Sequence, residues 1–173
     1  MSHDIDWSKS HNGLMLCTLD QVEELMPEVL PILVHLKPED SWDNYLIDVK
    51  IHMLMPEQFP CIPNWHYDFL PRDSEGKRLN CQRGYSDKKM YMWISAAPLT
   101  LYKDSRGHEY TKPAKQWHSF TQKDMHRGQV SKDHVWRCFI RVIPKVFLHS
   151  TTINVGQVRG HIQVYADSRK FRW

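Results

Sequence analysis

The feature that most constrains the fold of this chain is an alternation of side chains that begins at Tyr45 and ends before Pro56. Apolar residues recur at every second position, and the central positions between them are polar: Tyr45, Ile47, Val49, Ile51, Met53 and Met55 against Asp48, Lys50 and His52. Successive side chains of a β-strand point to opposite faces, so this period of two predicts a half-buried strand. Pro56 ends the strand, because proline has no N–H for the sheet ladder.

Further extended segments follow the first strand, and one helical stretch precedes it. The predicted extended segments are 90–101, 117–121, 135–146 and 155–165. In the helical stretch Thr18 is placed to cap a first helix, and a second short helix is predicted to run to Leu36. Strands and helices do not alternate, which argues against a parallel α/β sheet. We therefore predict a mainly β, α+β fold, with N-terminal helices packed on an antiparallel sandwich, barrel or jelly roll.

The length of 173 residues fits a single domain over 1–173. We expect a polar N-terminal extension over 1–16 and a basic, aromatic C-terminal arm over 157–173. The formal net charge of +3 equals the net charge of this arm, in which arginines and a lysine outnumber one aspartate. A charge this small does not by itself indicate nucleic acid or an anionic membrane as a partner.

Cysteine spacing and hydropathy bear on the compartment. The cysteines at 17, 61, 81 and 138 include no C-x-x-C pair, which excludes a zinc ribbon. We expect free thiols in a reducing, cytoplasmic compartment, although a disulfide between two of them stays open. No apolar run approaches the roughly 20 residues that span a bilayer, so a soluble protein without a membrane partner is expected.

The segment that carries chemistry holds His66 and Asp68 two residues apart between aromatic neighbours. In an extended segment both side chains point to the same face, which lets an imidazole and a carboxylate bind one metal ion. His126, which precedes a glycine turn, is the candidate third ligand, and His118 competes with it. Two histidines and one carboxylate leave three positions of an octahedral Fe(II) open for a cosubstrate and oxygen. The alternative is a histidine and an aspartate that hydrogen-bond within a loop.

In its order of parts the chain between Trp65 and Val142 resembles the Fe(II)- and 2-oxoglutarate-dependent dioxygenases. The shared pattern is His-x-Asp, a distal histidine, and then an arginine on a strand. The resemblance implies a double-stranded β-helix, or jelly-roll, fold. It also implies that Fe(II) is held by His66, Asp68 and His126.

The same resemblance implies an arginine that pairs with the distal carboxylate of 2-oxoglutarate. The planar guanidinium fork suits this role because it grips a carboxylate with two parallel hydrogen bonds. Arg137 is the first choice on spacing. Arg141 lies on the same predicted strand face as Arg137 and Phe139, so it is an equal structural candidate.

The implied activity is an oxidoreductase reaction in which dioxygen is activated at iron, 2-oxoglutarate is decarboxylated to succinate, and a substrate is hydroxylated. The substrate stays open between a nucleic acid base, a protein side chain and a small metabolite. The residues themselves leave two other functions open. The domain could be a non-catalytic subunit of a homo-oligomer or larger assembly that docks through the arm at 157–173. Alternatively, the arm and exposed aromatic rings could bind nucleic acid.

Overall fold

The computed structural model describes residues 5–10, 13–75, 77–78, 84–148, 157–158 and 164–166. The helical elements described are α1 (Leu19–Leu25), α2 (Leu30–Leu33) and 3-10 turns at Trp7–Lys9, Pro27–Val29, Trp42–Asn44 and Lys145–Phe147. Thr18 caps α1 as predicted: its hydroxyl accepts the Gln21 N–H, and the Gln21 side chain accepts the Thr18 N–H. None of the helices within the described ranges is long and apolar enough to cross a membrane.

A six-stranded antiparallel sheet, here called the main sheet, forms the centre of the fold. Its strands, in spatial order, are β10 (Gln157–Val158), β1 (Gly13–Cys17), β2 (Tyr45–Leu54), β9 (Val135–Pro144), β4 (Met90–Ile94) and β7 (His118–Phe120). The longest pairing joins β2 to β9 in continuous register from Tyr45 opposite Pro144 to Leu54 opposite Val135. The alternation that predicts β2 therefore identifies a central strand of the sheet.

A smaller antiparallel sheet, the second sheet, lies over one face of the main sheet. Its strands are β5 (Leu101–Lys103), between β6 (Glu109–Thr111) and β8 (Met125–Arg127). A further short pair joins β3 (Gln58–Phe59) to β11 (Tyr165–Ala166). From β4 onward the chain crosses repeatedly between the two sheets, an arrangement consistent with a jelly roll. The prediction of a mainly β, antiparallel fold with N-terminal helices is confirmed.

The main sheet is covered on both faces. Ile47, Val49 and Ile51 of β2 point to one face, where they pack with residues of α1 and α2 in the larger apolar core. The other face packs in a smaller core that includes Met92 of the main sheet and Tyr102 of the second sheet. Asp48, Lys50 and His52 of β2 alternate with the first set and point to this second face. These polar side chains are consequently enclosed between the sheets.

Two segments differ from the sequence-based expectation. The single run predicted over 90–101 is divided: Met90–Ile94 belongs to the main sheet and Leu101–Lys103 to the second. The expected N-terminal extension over 1–16 contains most of β1, which pairs with β2. The register shifts between Leu14 and Cys17, and Leu16 has a φ of 52°. This irregularity hides the strand, because it breaks the period of two by which a strand is detected.

Much of the C-terminal arm over 157–173 and of the segment 155–165 lies outside the described residues. Within the described part, β10 pairs with β1 and β11 pairs with β3. Cys17, Cys61 and Cys138 are free thiols, and Cys81 lies outside the described residues.

Candidate metal centre

Backbone hydrogen bonds place the His66 segment beside β8. The His66 N–H donates to the His126 carbonyl at 2.9 Å, and the His126 N–H donates to the His66 carbonyl at 3.0 Å. Residues directly opposite each other in such an antiparallel pair present their side chains on the same side. The two imidazoles therefore lie side by side, with ring centroids 4.5 Å apart.

Asp68 completes a cluster with these two histidines. The three candidate ligand atoms all lie within 4.8 Å of one another. His66 Nε2 is 3.8 Å from Asp68 Oδ1, and His126 Nε2 is 3.6 Å from Asp68 Oδ2. Ligand atoms at about 2.1 Å from one metal ion stand roughly 3–3.4 Å from each other. The two histidine–aspartate separations exceed that value by a few tenths of an ångström, whereas the 4.8 Å span of the whole set exceeds it by more than 1 Å. Metal binding therefore requires the side chains to move closer together.

Backbone carbonyls orient both imidazoles for metal binding. His66 Nδ1 lies 2.8 Å from the Asn64 carbonyl oxygen, and His126 Nδ1 lies 2.9 Å from the Asp124 carbonyl oxygen. A carbonyl can only accept, so each Nδ1 carries a proton that it donates. In the neutral imidazole this leaves the Nε2 lone pair available, which is the usual arrangement of metal-bound histidine. Burial lowers the pKa of His66, which favours its neutral form.

Asp68 is held as a carboxylate by its surroundings. Burial alone would raise its pKa, but the positive charge of Arg141 outweighs burial and lowers the pKa far below the usual value. Arg141 Nη1 donates to Asp68 Oδ2 at 2.6 Å. The cluster thus offers two imidazole nitrogens and one anionic oxygen, a donor set suited to Fe(II) and related divalent metals.

Arg141 also joins Asp68 to a second buried carboxylate. Its Nη2 donates to Asp48 Oδ2 at 2.7 Å, and Asp48 Oδ1 accepts the Leu16 N–H at 3.0 Å. Asp48 is 2% exposed. Sequence reasoning missed this residue because the alternation in β2 predicts only a half-buried strand and does not show that the polar face is also covered. The structure places Asp48 directly opposite Arg141 of β9, and the sequence carries no signal of that pairing.

Arg137, the first choice for a cosubstrate arginine, lies elsewhere on the same strand face. It is 2% exposed and stands opposite His52, with Nη1 3.5 Å from His52 Nδ1. No carboxylate of the described residues pairs with it, and its Nε has no hydrogen-bond partner there. Burial lowers its pKa to about 10. Arg137 is thus an enclosed cation with no anion beside it in the described part of the chain, an energetically unfavourable arrangement.

A cavity of about 170 Å³ opens at the histidine–aspartate cluster. Besides the cluster and Arg141, its walls include Lys50, Cys61, Thr100 and Phe139. A neighbouring cavity of about 360 Å³ shares His66 and Asp68 in its lining. The candidate ligands are therefore accessible from space large enough for small molecules.

His118, the competing third ligand, is not part of the cluster. It lies on β7 with its Nε2 2.6 Å from the Pro113 carbonyl oxygen. The structure thus brings together His66, Asp68 and His126, with Arg141 touching the aspartate, and leaves His118 and Arg137 apart from them.

Comparison with known proteins adds little to this geometry. No family model matches the chain, and no curated protein matches it. A solved structure of a cupin-2 domain-containing protein from Shewanella frigidimarina aligns with a TM-score of 0.32 and 11% identity. The alignment covers 62% of this chain and 78% of that one. The function of this chain therefore has to be inferred from its own side chains.

Proposed function

We propose that this protein is an Fe(II)- and 2-oxoglutarate-dependent oxygenase in which His66, Asp68 and His126 hold the metal. The observation that carries the proposal is the convergence of two Nε2 lone pairs and one ionised carboxylate within 4.8 Å. A facial set of three protein ligands leaves the remaining octahedral positions for a cosubstrate and oxygen. Bound Fe(II) would supply the activation of dioxygen, which the side chains of the protein cannot perform.

The cosubstrate assignment rests on the two arginines of β9. The charge of Arg141 is already balanced by Asp48 and Asp68. We therefore assign to Arg141 the role of positioning Asp68, one of the metal ligands. Arg137 has no carboxylate partner among the described residues, and a dicarboxylate would supply one. Phe139 lines the cavity at the cluster, and the Arg137 guanidinium lies 5.8 Å from the centre of its ring. We therefore assign the distal carboxylate of 2-oxoglutarate to Arg137.

The remaining residues around the cluster orient the ligands and limit water. The Asn64 and Asp124 carbonyls hold the two imidazoles, and Arg141 holds the Asp68 carboxylate. The rings of Tyr102 and Phe120 lie 5.8 and 5.6 Å from the His126 ring. Both aromatic residues are buried. They shield one side of the centre, which strengthens electrostatic interactions inside it.

The metal assignment is tested by anaerobic titration of Fe(II) and 2-oxoglutarate, followed by visible spectroscopy. We expect a weak charge-transfer band in the wild type, and succinate formation once oxygen is admitted. His66→Ala should lose both signals, because it removes one ligand. His118→Ala is the matched control and should retain them. Absence of the band in the wild type, or an unchanged band in His66→Ala, would refute the proposal.

The cosubstrate assignment is tested separately with Arg137→Gln. We expect this variant to bind Fe(II) as the wild type does but to bind 2-oxoglutarate at least tenfold more weakly, because a charged hydrogen-bonded pair is lost. Arg137→Lys should recover part of the affinity, since it restores the charge without the planar fork. Wild-type affinity for 2-oxoglutarate in Arg137→Gln would show that another group, such as Lys50 in the cavity wall, binds the cosubstrate.

The two other functions predicted from the sequence depend on the C-terminal arm. The structure describes only residues 157–158 and 164–166 of that arm. Assembly through the arm and binding of nucleic acid by it therefore stay predictions. Light scattering with and without residues 167–173 would test the first, and the salt dependence of oligonucleotide affinity would test the second.

A further inference from the structure

A tryptophan-lined groove of about 820 Å³ lies on the face of the main sheet away from the metal centre. Trp93 of β4 points into this groove, whereas its neighbour Met92 lines the cavity at the histidines. Trp136 of β9 likewise lines the groove, while Arg137 points to the opposite face. The alternation of the strands thus separates the two sites by the thickness of one sheet.

Four tryptophans line the groove: Trp7, Trp93, Trp117 and Trp136. Trp7 and Trp93 pack edge to face, with ring centroids 6.4 Å apart. Trp117 donates its indole N–H to the Ile32 carbonyl at 2.9 Å, which leaves it only ring surface to offer a ligand. Trp136 is 40% exposed, an unusual state for so large an apolar ring. The groove therefore presents aromatic surface whose positions are fixed by packing.

One carboxylate lies in the wall of this aromatic groove. Glu28 is half-buried there, and no cation among the described residues forms an ion pair with it. The negative charge of Glu28 also acts on the core behind the groove. Burial raises the pKa of the Cys138 thiol, and the charge of Glu28 raises it further. Glu28 thus places a negative charge in the wall of the groove that no described cation pairs with directly.

We propose that the groove is a binding site for an organic cation whose head is a quaternary or methylated ammonium group. Such a cation is attracted to the faces of aromatic rings, and tryptophan attracts it most strongly. Its methyl groups are apolar and match the tryptophan surface, while its charge complements Glu28. The volume of about 820 Å³ lies within the range of small-molecule sites.

The charges around the groove favour this occupant over a phosphate-bearing one. Glu28 would repel a phosphate held against the tryptophans. Lys115 and His35 also line the groove, but both are exposed. Water and salt therefore screen them more strongly than the half-buried carboxylate.

The test compares choline with 3,3-dimethyl-1-butanol, its neutral isostere, by isothermal titration calorimetry on the full chain. The two probes have the same shape, so a difference in affinity measures the charge alone. We expect choline to bind about tenfold more tightly or better. Equal affinities, or no binding of choline, would overturn the proposal.

Variants locate the site. Glu28→Gln should reduce choline affinity about tenfold and leave affinity for the neutral isostere unchanged, whereas Glu24→Gln, an exposed change on α1, should alter neither.

Trp136→Ala should weaken choline binding at least threefold, with Tyr110→Ala as the equally exposed aromatic control. Unchanged choline affinity in Glu28→Gln would refute the assignment even if Trp136→Ala failed to fold. His66→Ala should bind choline normally, so the outcome is independent of the metal centre.

Discussion

Asp48 does not line the cavity at the metal centre, yet it positions Arg141, the side chain that holds the candidate metal ligand Asp68. Its two oxygens accept hydrogen bonds from Arg141 and from the backbone N–H of Leu16. Arg141 in turn donates to Asp68. A buried guanidinium between two carboxylates is well compensated, and removal of one carboxylate leaves the remaining pair poorly oriented. We therefore treat Asp48 as a positioning residue for the centre.

Replacement of Asp48 by asparagine is predicted to reduce stability in a pH-dependent manner. Burial would raise the pKa of Asp48, but the Arg141 charge outweighs burial and lowers it. A carboxyl group with a lowered folded-state pKa stabilises the fold above its unfolded pKa of about 4, and this contribution is lost as pH falls through the folded value. Asp48→Asn should therefore lower the free energy of unfolding by about 1.5–3 kcal/mol at pH 7.

Urea denaturation of the metal-free protein between pH 7 and pH 3 measures this effect. The difference in unfolding free energy between wild type and Asp48→Asn should shrink below about pH 4, where the Asp48 carboxyl group of the unfolded chain begins to gain a proton while that of the folded protein stays ionised. Asp133→Asn, a change at an exposed residue, serves as the control for the loss of one negative charge. A difference that stays constant across the range would contradict the assigned role of the Asp48 charge.

At the level of elements, β2 shows what the sequence could predict and what it could not. Its alternation predicts a strand over 45–55, and the structure has one at Tyr45–Leu54. The alternation predicts a half-buried strand, but the face that carries Asp48 and His52 is also buried, because a second sheet covers it. Alternation reports that two faces differ. It does not report whether the polar face meets water or an enclosed site.

The candidate ligands illustrate the same limit. The spacing of His66 and Asp68 indicates a shared face, which local chain geometry is enough to predict. Their meeting with His126 depends on a long-range bridge between the 66 segment and β8. The distinction between Arg137 and Arg141 depends on which carboxylates surround each one. Long-range pairing of this kind leaves no periodic trace in the sequence.

Gly128 ties the ligand-bearing segment to β8. Its N–H donates to the Ile62 carbonyl at 2.9 Å. A Cβ at this position would lie 2.7 Å from the Cys61 carbonyl oxygen and 2.9 Å from its Sγ. Gly128→Ala must therefore displace the chain that leads to His66. We predict a loss of about 1–3 kcal/mol in the free energy of unfolding and an affinity for Co(II) about tenfold weaker.

The matched change is Gly84→Ala, because a Cβ at Gly84 would meet nothing within 4 Å. Chemical denaturation and titration of Co(II), followed by its visible absorption, would measure both quantities in the two variants. If Gly128→Ala bound Co(II) as tightly as Gly84→Ala does, the contact with Cys61 would have no part in placing the ligands.

Across the whole molecule, the main sheet separates two kinds of chemistry. One face carries the charged residues and the histidine–aspartate cluster, and the other carries the larger apolar core with the tryptophan groove. Because both faces are buried by other parts of the chain, the charged face is enclosed where its electrostatic interactions are strong. A strand pair that alternates apolar and charged residues thus builds a core and a site at the same time.

Because the two faces are separate, we predict that metal binding stabilises the domain and that this stabilisation depends on residues of the histidine–aspartate face alone. A ligand that binds the folded state alone adds about 2.7 kcal/mol at a concentration 100 times its Kd. For a domain of this size the midpoint of thermal unfolding should then rise by about 5–10 °C. We expect that shift with Mn(II) or Co(II), its reversal by a chelator, and its loss in His126→Ala but not in His118→Ala. Trp136→Ala should keep the full shift, because its side chain lies on the opposite face; a shift that His126→Ala retained would mean that the metal binds elsewhere.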